Sequence, residues 1–183
     1  FMNAYLASTA GSQGEASTNA AKYVLGYRFL KKENYRQALA YFSQIAPAVS
    51  SQSPALEQDA YVRTADTYFM TRDYPKAKAM YTNVINSALP QSDYALFQRA
   101  LLAGISSASE KIKMLNTLSR QYPASDLIAD ANMEIANTYM ADEKFKDAVG
   151  YLNSLLTLSN PKGLEPLLYL NLGLAYSNMR INS

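Results

Sequence analysis

Asp126, Asp130 and Glu134 recur at four-residue intervals, a spacing that puts three carboxylates along one face of a helix. Carboxylate oxygens hold hard cations, but such ions need several oxygens converging from different directions, and a helix face offers a line. The simpler reading has Ser125 or Asp126 capping the helix, Asp130 at the positive end of its dipole and Glu134 in solvent. Gly11-Ser12-Gln13-Gly14 is the one glycine-bearing stretch that could cradle a phosphate, but no Lys-Ser or Lys-Thr follows, so it reads as a turn. Histidine and cysteine are both absent, which removes the commonest general acid-base group, thiolate nucleophiles, disulfides and sulfur-ligated metal together. The sequence therefore calls for no catalytic residue, no metal and no cofactor.

Side chains suited to binding are plentiful: 15 tyrosines, 6 phenylalanines and 7 methionines. Tyrosine offers an apolar face with a polar tip, and methionine repacks easily against varied ligands. These residues need elements to carry them, and the chain repeats itself to supply them. Gly26, Phe29, Tyr35, Ala38 and Phe42 share one spacing with Ala65, Tyr68, Tyr74, Ala77 and Tyr81, and again with Ala136, Tyr139, Phe145, Ala148 and Leu152. Ala38 to Ala77 is 39 residues and Ala77 to Ala148 is 71, which leaves room for one further unit. A period of roughly 35–40 residues indicates stacked helical hairpins, because one hairpin cannot bury its apolar face alone. The spacing predicts helices over 20–32, 35–46, 56–71, 75–87, 91–104, 109–121, 126–141, 145–158 and 165–179, with no sheet. Gly26, Ala38, Ala65, Ala77, Ala136 and Ala148 should lie where helices approach closely.

The pattern resembles the tetratricopeptide repeat. Leu25-Gly26, Phe29, Ala38 and Phe42 carry the likeness in residues 19–52, and Tyr61, Ala65, Tyr68, Ala77 and Tyr81 in 58–91, with Thr64 where the family places Leu. Ile135-Ala136, Tyr139, Ala148, Leu152 and Asn160-Pro161 carry it in 129–162. Residues 92–125 form a unit without the glycine and alanine marks, and Tyr169, Leu172-Gly173 and Tyr176 open a partial one over 166–183. Residues 1–18 read as the end of a preceding repeat helix plus linker, with 19–183 as the array. The resemblance implies an all-α, right-handed superhelical solenoid of antiparallel hairpins that binds a protein or peptide segment on its concave surface.

By position within the repeat, the resemblance puts Tyr23, Tyr27 and Leu30 of the first unit in that groove, with Asp59, Val62, Arg63, Asp66, Phe69 and Met70 of the second. From the later units it implies Asp130, Met133, Glu134, Asn137 and Met140, then Leu170, Asn171 and Leu174. Some family members clamp a terminal carboxylate with Lys, Asn and Arg. Arg63, Asn137 and Asn171 are candidates here, but Tyr23 stands where the first clamp lysine belongs. The acidic side chains point instead to a ligand with apolar anchors and some Lys or Arg.

The turn from Gln121 to Asp126 resembles a subtype seen in bacterial envelope proteins, among them the outer-membrane barrel-assembly lipoprotein and the Tol-Pal coordinator. It implies a periplasmic or outer-membrane-associated location, although nothing in the composition excludes the cytoplasm. At a net charge of +2, with lysines spread singly, no basic stripe for nucleic acid appears. No apolar run reaches the ~18 residues of a membrane span. Leu164, Leu167, Leu168, Leu170, Leu172 and Leu174 crowd more than one face of the last helix, so self-association through it is a further expectation, and both ends look cut from a longer array. Two alternatives stay open beside the scaffold: a repeat arm positioning a catalytic or carbohydrate-binding domain elsewhere, and a homo-oligomerisation module.

Overall fold

In the computed structural model, residues 15–157 and 165–181 are described, and all their regular elements are α-helices. In chain order these are α1 (Glu15–Lys31), α2 (Tyr35–Phe42), α3 (Ala55–Met70), α4 (Tyr74–Asn86), α5 (Ser92–Gly104), α6 (Ala108–Gln121), α7 (Ile128–Ala141), α8 (Phe145–Leu156) and α9 (Glu165–Ile181). The helix expected over residues 1–9 lies outside the described residues. The chain forms two compact units, 1–99 and 100–183.

In the first unit α1 pairs with α2 and α3 with α4, and α3 also packs on both helices of the first hairpin. The hairpin turns are built alike. Glu33 (φ 56°) and Arg72 (φ 64°) adopt the left-handed conformation just before a polar cap. Asn34 N–H then reaches back to Phe29 O at 3.0 Å, and Asp73 N–H to Tyr68 O at 2.9 Å, closing the carbonyls that a helix end leaves open. Asn34 and Asp73 in turn accept from the backbone N–H groups of Gln37 and Lys76, starting the next helix. In the second unit Glu143 (φ 57°) repeats the turn, with Lys144 N–H to Tyr139 O at 2.9 Å.

The small repeat residues lie where helices touch. Ala38, Ala65, Ala77, Ala136 and Ala148 are fully buried, and a Cβ added to Gly26 would stand 2.8 Å from Phe42 Cε1. Phe42, Tyr81 and Leu152, sixteen positions on from each small residue, are also fully buried. Around Phe42 the first core gathers Ala38, Ile45 and Ala60, flanked by Tyr23, Phe29, Leu30 and Leu56. Thr64 is buried too, and its hydroxyl donates to Ala60 O at 2.8 Å, so a polar side chain stands at a core position without an open hydrogen bond.

The second unit packs α6 on α7, α7 on α8 and α8 on α9. Its main cluster contains Met133, Ala136, Leu152, Leu155, Leu168 and Leu172. Two expectations are corrected here. Met133 is not a groove residue: it is 9% exposed, in one core cluster with Leu152 and Leu155 of α8 and Leu168 and Leu172 of α9. The helix expected from 126 begins at Ile128, after an N-cap at Leu127 that forms no side-chain capping bond. Ser125 Oγ accepts from Leu127 N–H at 3.2 Å, holding the turn ahead of the helix, and Asp126 is exposed. No helix among the described residues is long and apolar enough to cross a membrane.

Candidate functional site

In the first unit the sequence-predicted residues come together around a part-buried chain of charges. The i, i+4 and i, i+3 spacings on α3 set Asp59 and Asp66 on either side of Arg63. Arg63 Nη2 lies 3.2 Å from Asp59 Oδ1, and Nη1 lies 2.7 Å from Asp66 Oδ2. Tyr23 of α1 donates a short hydrogen bond to Asp59 Oδ2. At the other end Asp66 Oδ1 accepts from Tyr81 of α4 at 2.7 Å and from Tyr94 of α5 at 2.9 Å. One carboxylate thus ties α3 to the two helices that follow it. Asp66 keeps only 12% of its side chain exposed.

Burial pushes the Asp66 carboxyl above the ordinary aspartate range, and the hydroxyls of Tyr81 and Tyr94 and the Arg63 charge offset only part of that rise. Burial, then the Asp66 charge, likewise raises Tyr81 and Tyr94. Tyr23 is pushed up to about 12 by burial and by its bond to Asp59. Burial works against the Arg63 charge, but Asp66 and Asp59 outweigh it and hold the guanidinium ionised. With both faces of its fork engaged, Arg63 offers no free cation for a ligand carboxylate, which removes the clamp candidate.

Above this network opens a cleft of about 370 Å³ lined by residues of α1, α2 and the turn between them, α3, α4 and α5. Leu30, Phe69 and Met70 form apolar walls, Asp66, Tyr81 and Tyr94 the floor, and Lys31, Glu33, Tyr35 and Gln98 complete the lining. Such an open, apolar-walled cleft with a few polar groups at its base has the chemistry of a side-chain pocket. Tyr23 and Tyr27 stack at 6.3 Å on the neighbouring turns of α1, with Lys31 Nζ 5.1 Å from the Tyr27 ring centre. Tyr27 and Met70 are exposed, and Phe69 is half-buried. Val62, implied as a groove residue, is fully buried instead, since it falls on the face of α3 that packs inward.

In the second unit the predicted residues do not gather. Glu134, expected in solvent, is held by Lys111 of α6 at 2.5 Å. Asn137 is exposed and Met140 half-buried, while Asn171 donates to Leu167 O of its own helix at 2.8 Å. Asp126 and Asp130 remain exposed, and among the described residues no three carboxylates converge.

Sequence reasoning missed Tyr94 and Gln98, because the third unit lacks the glycine and alanine marks that fix its register. Tyr81 was read only as a core marker. The available signal was its hydroxyl, since the first unit has Phe42 at the same repeat position and a buried phenol requires a partner.

The helices and their turns define a tetratricopeptide-like helical-repeat fold. No protein-family model matches the sequence, and no curated protein matches it. Solved structures do. The nearly identical TPR-like repeats of a putative kinesin light chain from Podosopora anserina are similar at a TM-score of 0.68 and 15% identity, over 91% of this chain and 88% of that one. A tetratricopeptide repeat protein from Parabacteroides merdae is similar at 0.69 and 16%, over 97% of this chain and 64% of the other.

Proposed function

We propose that this chain is a non-enzymatic scaffold that seats a peptide or protein segment in the cleft between α1, α3 and α5. The observation that carries the reading is the cleft itself: Leu30, Phe69 and Met70 above a carboxylate that three side chains from three helices hold in position. A floor fixed in this way is preorganised, so a guest side chain meets donors and acceptors that need no rearrangement. Peptides selected from a random display library on the purified protein should bind wild type and lose about 1 kcal/mol or more to Phe69→Ala, with helicity unchanged. Equal affinity for the variant would move the binding surface elsewhere.

We further propose that the segment belongs to a larger bacterial envelope protein, periplasmic or outer-membrane-associated. The turn from Gln121 to Asp126 supports this, and fractionation of cells expressing the full gene product tests it. A second role, self-association, is favoured by α9, where Leu167, Tyr169, Leu170, Leu174 and Tyr176 are exposed while Leu168, Leu172 and Ala175 are buried.

A further inference from the structure

We infer that the cleft of the first unit is a lysine pocket: it takes the side chain of a lysine in the bound segment, with the stem against Phe69 and Met70 and the ammonium on Asp66 and Tyr94. The inference rests on the peptide-binding reading of that cleft. It follows from where the floor's protons go. Tyr81 and Tyr94 both direct their hydroxyl hydrogens at Asp66 Oδ1, so what the less buried Tyr94 turns towards a guest is its oxygen, an acceptor that also draws on the Gln98 amide. Asp66 is itself an acceptor, and its Oδ2 holds a single guanidinium nitrogen of Arg63 at 2.7 Å. A guest that brings donors fits this floor. A guest carboxylate would face Asp66 with Arg63 already divided between Asp59 and Asp66, leaving Lys31 as the one lining cation outside an ion pair.

Charge agrees with hydrogen bonding. The lining carries two carboxylates, Asp66 and Glu33, against one ammonium, Lys31, which is drawn over the Tyr27 ring. Adding Arg63 and Asp59 behind the floor leaves the net sign negative. Shape then separates lysine from arginine. A planar guanidinium recognises a carboxylate through both oxygens at once, and Arg63 already occupies one edge of Asp66. An ammonium needs only scattered single acceptors around a point, which is what the remaining acceptor site on Asp66 Oδ2 and the oxygen of Tyr94 provide. The apolar walls suit a four-carbon stem, which buries its methylenes while the charged tip stays hydrogen-bonded.

The test uses the protein with ¹³C-methyl methionine, reading the Met70 methyl as it meets acetyl-Ala-Leu-Lys-Leu-Ala-amide. Three further peptides carry norleucine, arginine or glutamate in place of the lysine, and Met70→Leu assigns the signal. The lysine peptide should shift the Met70 methyl saturably, with a Kd about tenfold or more below that of the norleucine peptide, and this margin should shrink as salt is raised. Asp66→Asn should abolish the margin. Tyr94→Phe, which leaves Arg63 and Tyr81 on Asp66, should reduce it about threefold or more, so the inference stays testable if Asp66→Asn fails to fold. Norleucine or arginine binding as tightly as lysine overturns the lysine assignment and leaves the peptide cleft standing. Tighter binding of the glutamate peptide overturns it too. A Met70 methyl that none of the four peptides moves overturns both readings.

Discussion

Replacing Gly26 by alanine should destabilise this protein while the same change at Gly150 stabilises it. The added Cβ at Gly26 would stand 2.8, 2.9 and 3.0 Å from Cε1, Cδ1 and Cζ of Phe42. Carbon atoms pack best at about 3.5–4.0 Å, so the ring must withdraw by about 0.5 Å or more. It has little freedom to do so, being fully buried, with its edge against the Tyr23 ring at 5.7 Å. Overpacking of this kind costs about 1–3 kcal/mol. Against it stands the helix preference of alanine over glycine, worth about 1 kcal/mol. At Gly150 and at Gly173, which shares the Leu-Gly pair with the first repeat, an added Cβ meets nothing within 4 Å. There only the helix preference acts, and each change should stabilise by about 0.5–1 kcal/mol. The difference between the Gly26 and Gly150 variants cancels propensity and isolates the steric part, about 1–3 kcal/mol. Urea unfolding followed by circular dichroism measures it, provided the dependence on urea is unchanged between variants. Phe42→Leu should cost less in the Gly26→Ala background than in wild type, because the smaller side chain relieves the clash. A Gly26→Ala variant that gains as much stability as Gly150→Ala would refute the close approach of Phe42 to α1.

Alkaline titration should separate the tyrosines. Tyr23 and Tyr151 are pushed up to about 12 by burial, with Asp59 adding to it at Tyr23 and Tyr139 at Tyr151. Because their folded values lie above the unfolded value near 10, their contribution is fully present below pH 10 and is lost as pH rises towards 12. Tyrosinate absorbance at 295 nm should show them, with Tyr81 and Tyr94, ionising late, and stability should fall from about pH 10 upward; full ionisation of all tyrosines in a still-folded protein near pH 10 would contradict their burial. The exposed face of α9 should self-associate, and the paired change Leu170→Glu with Leu174→Glu should weaken that association by tenfold or more; sedimentation showing wild type and variant equally monomeric at high concentration would exclude it.

Helix positions and hairpin register were legible in the sequence because they depend on local periodicity and on small residues at fixed spacing. Gly26, Ala65 and Ala136 can be found by counting, since only a small side chain lets two helices meet there. The start of α7 was less legible, because Ser125, Asp126 and Leu127 compete for the turn and local chemistry alone does not rank them. Tertiary structure decided the rest. Asp66 looks like any groove carboxylate until Tyr81 and Tyr94, from two later helices, are brought onto it. Tyr23, Val62 and Met133 fall on one repeat position, yet Val62 and Met133 are core while Tyr23 is half-buried and reaches Asp59. Met133 joins a cluster completed by Leu168 and Leu172, far along the chain, whereas the space beside Phe69 stays open. Periodicity tells which face of a helix turns inward, but what covers the opposite face depends on contacts between residues far apart in the chain.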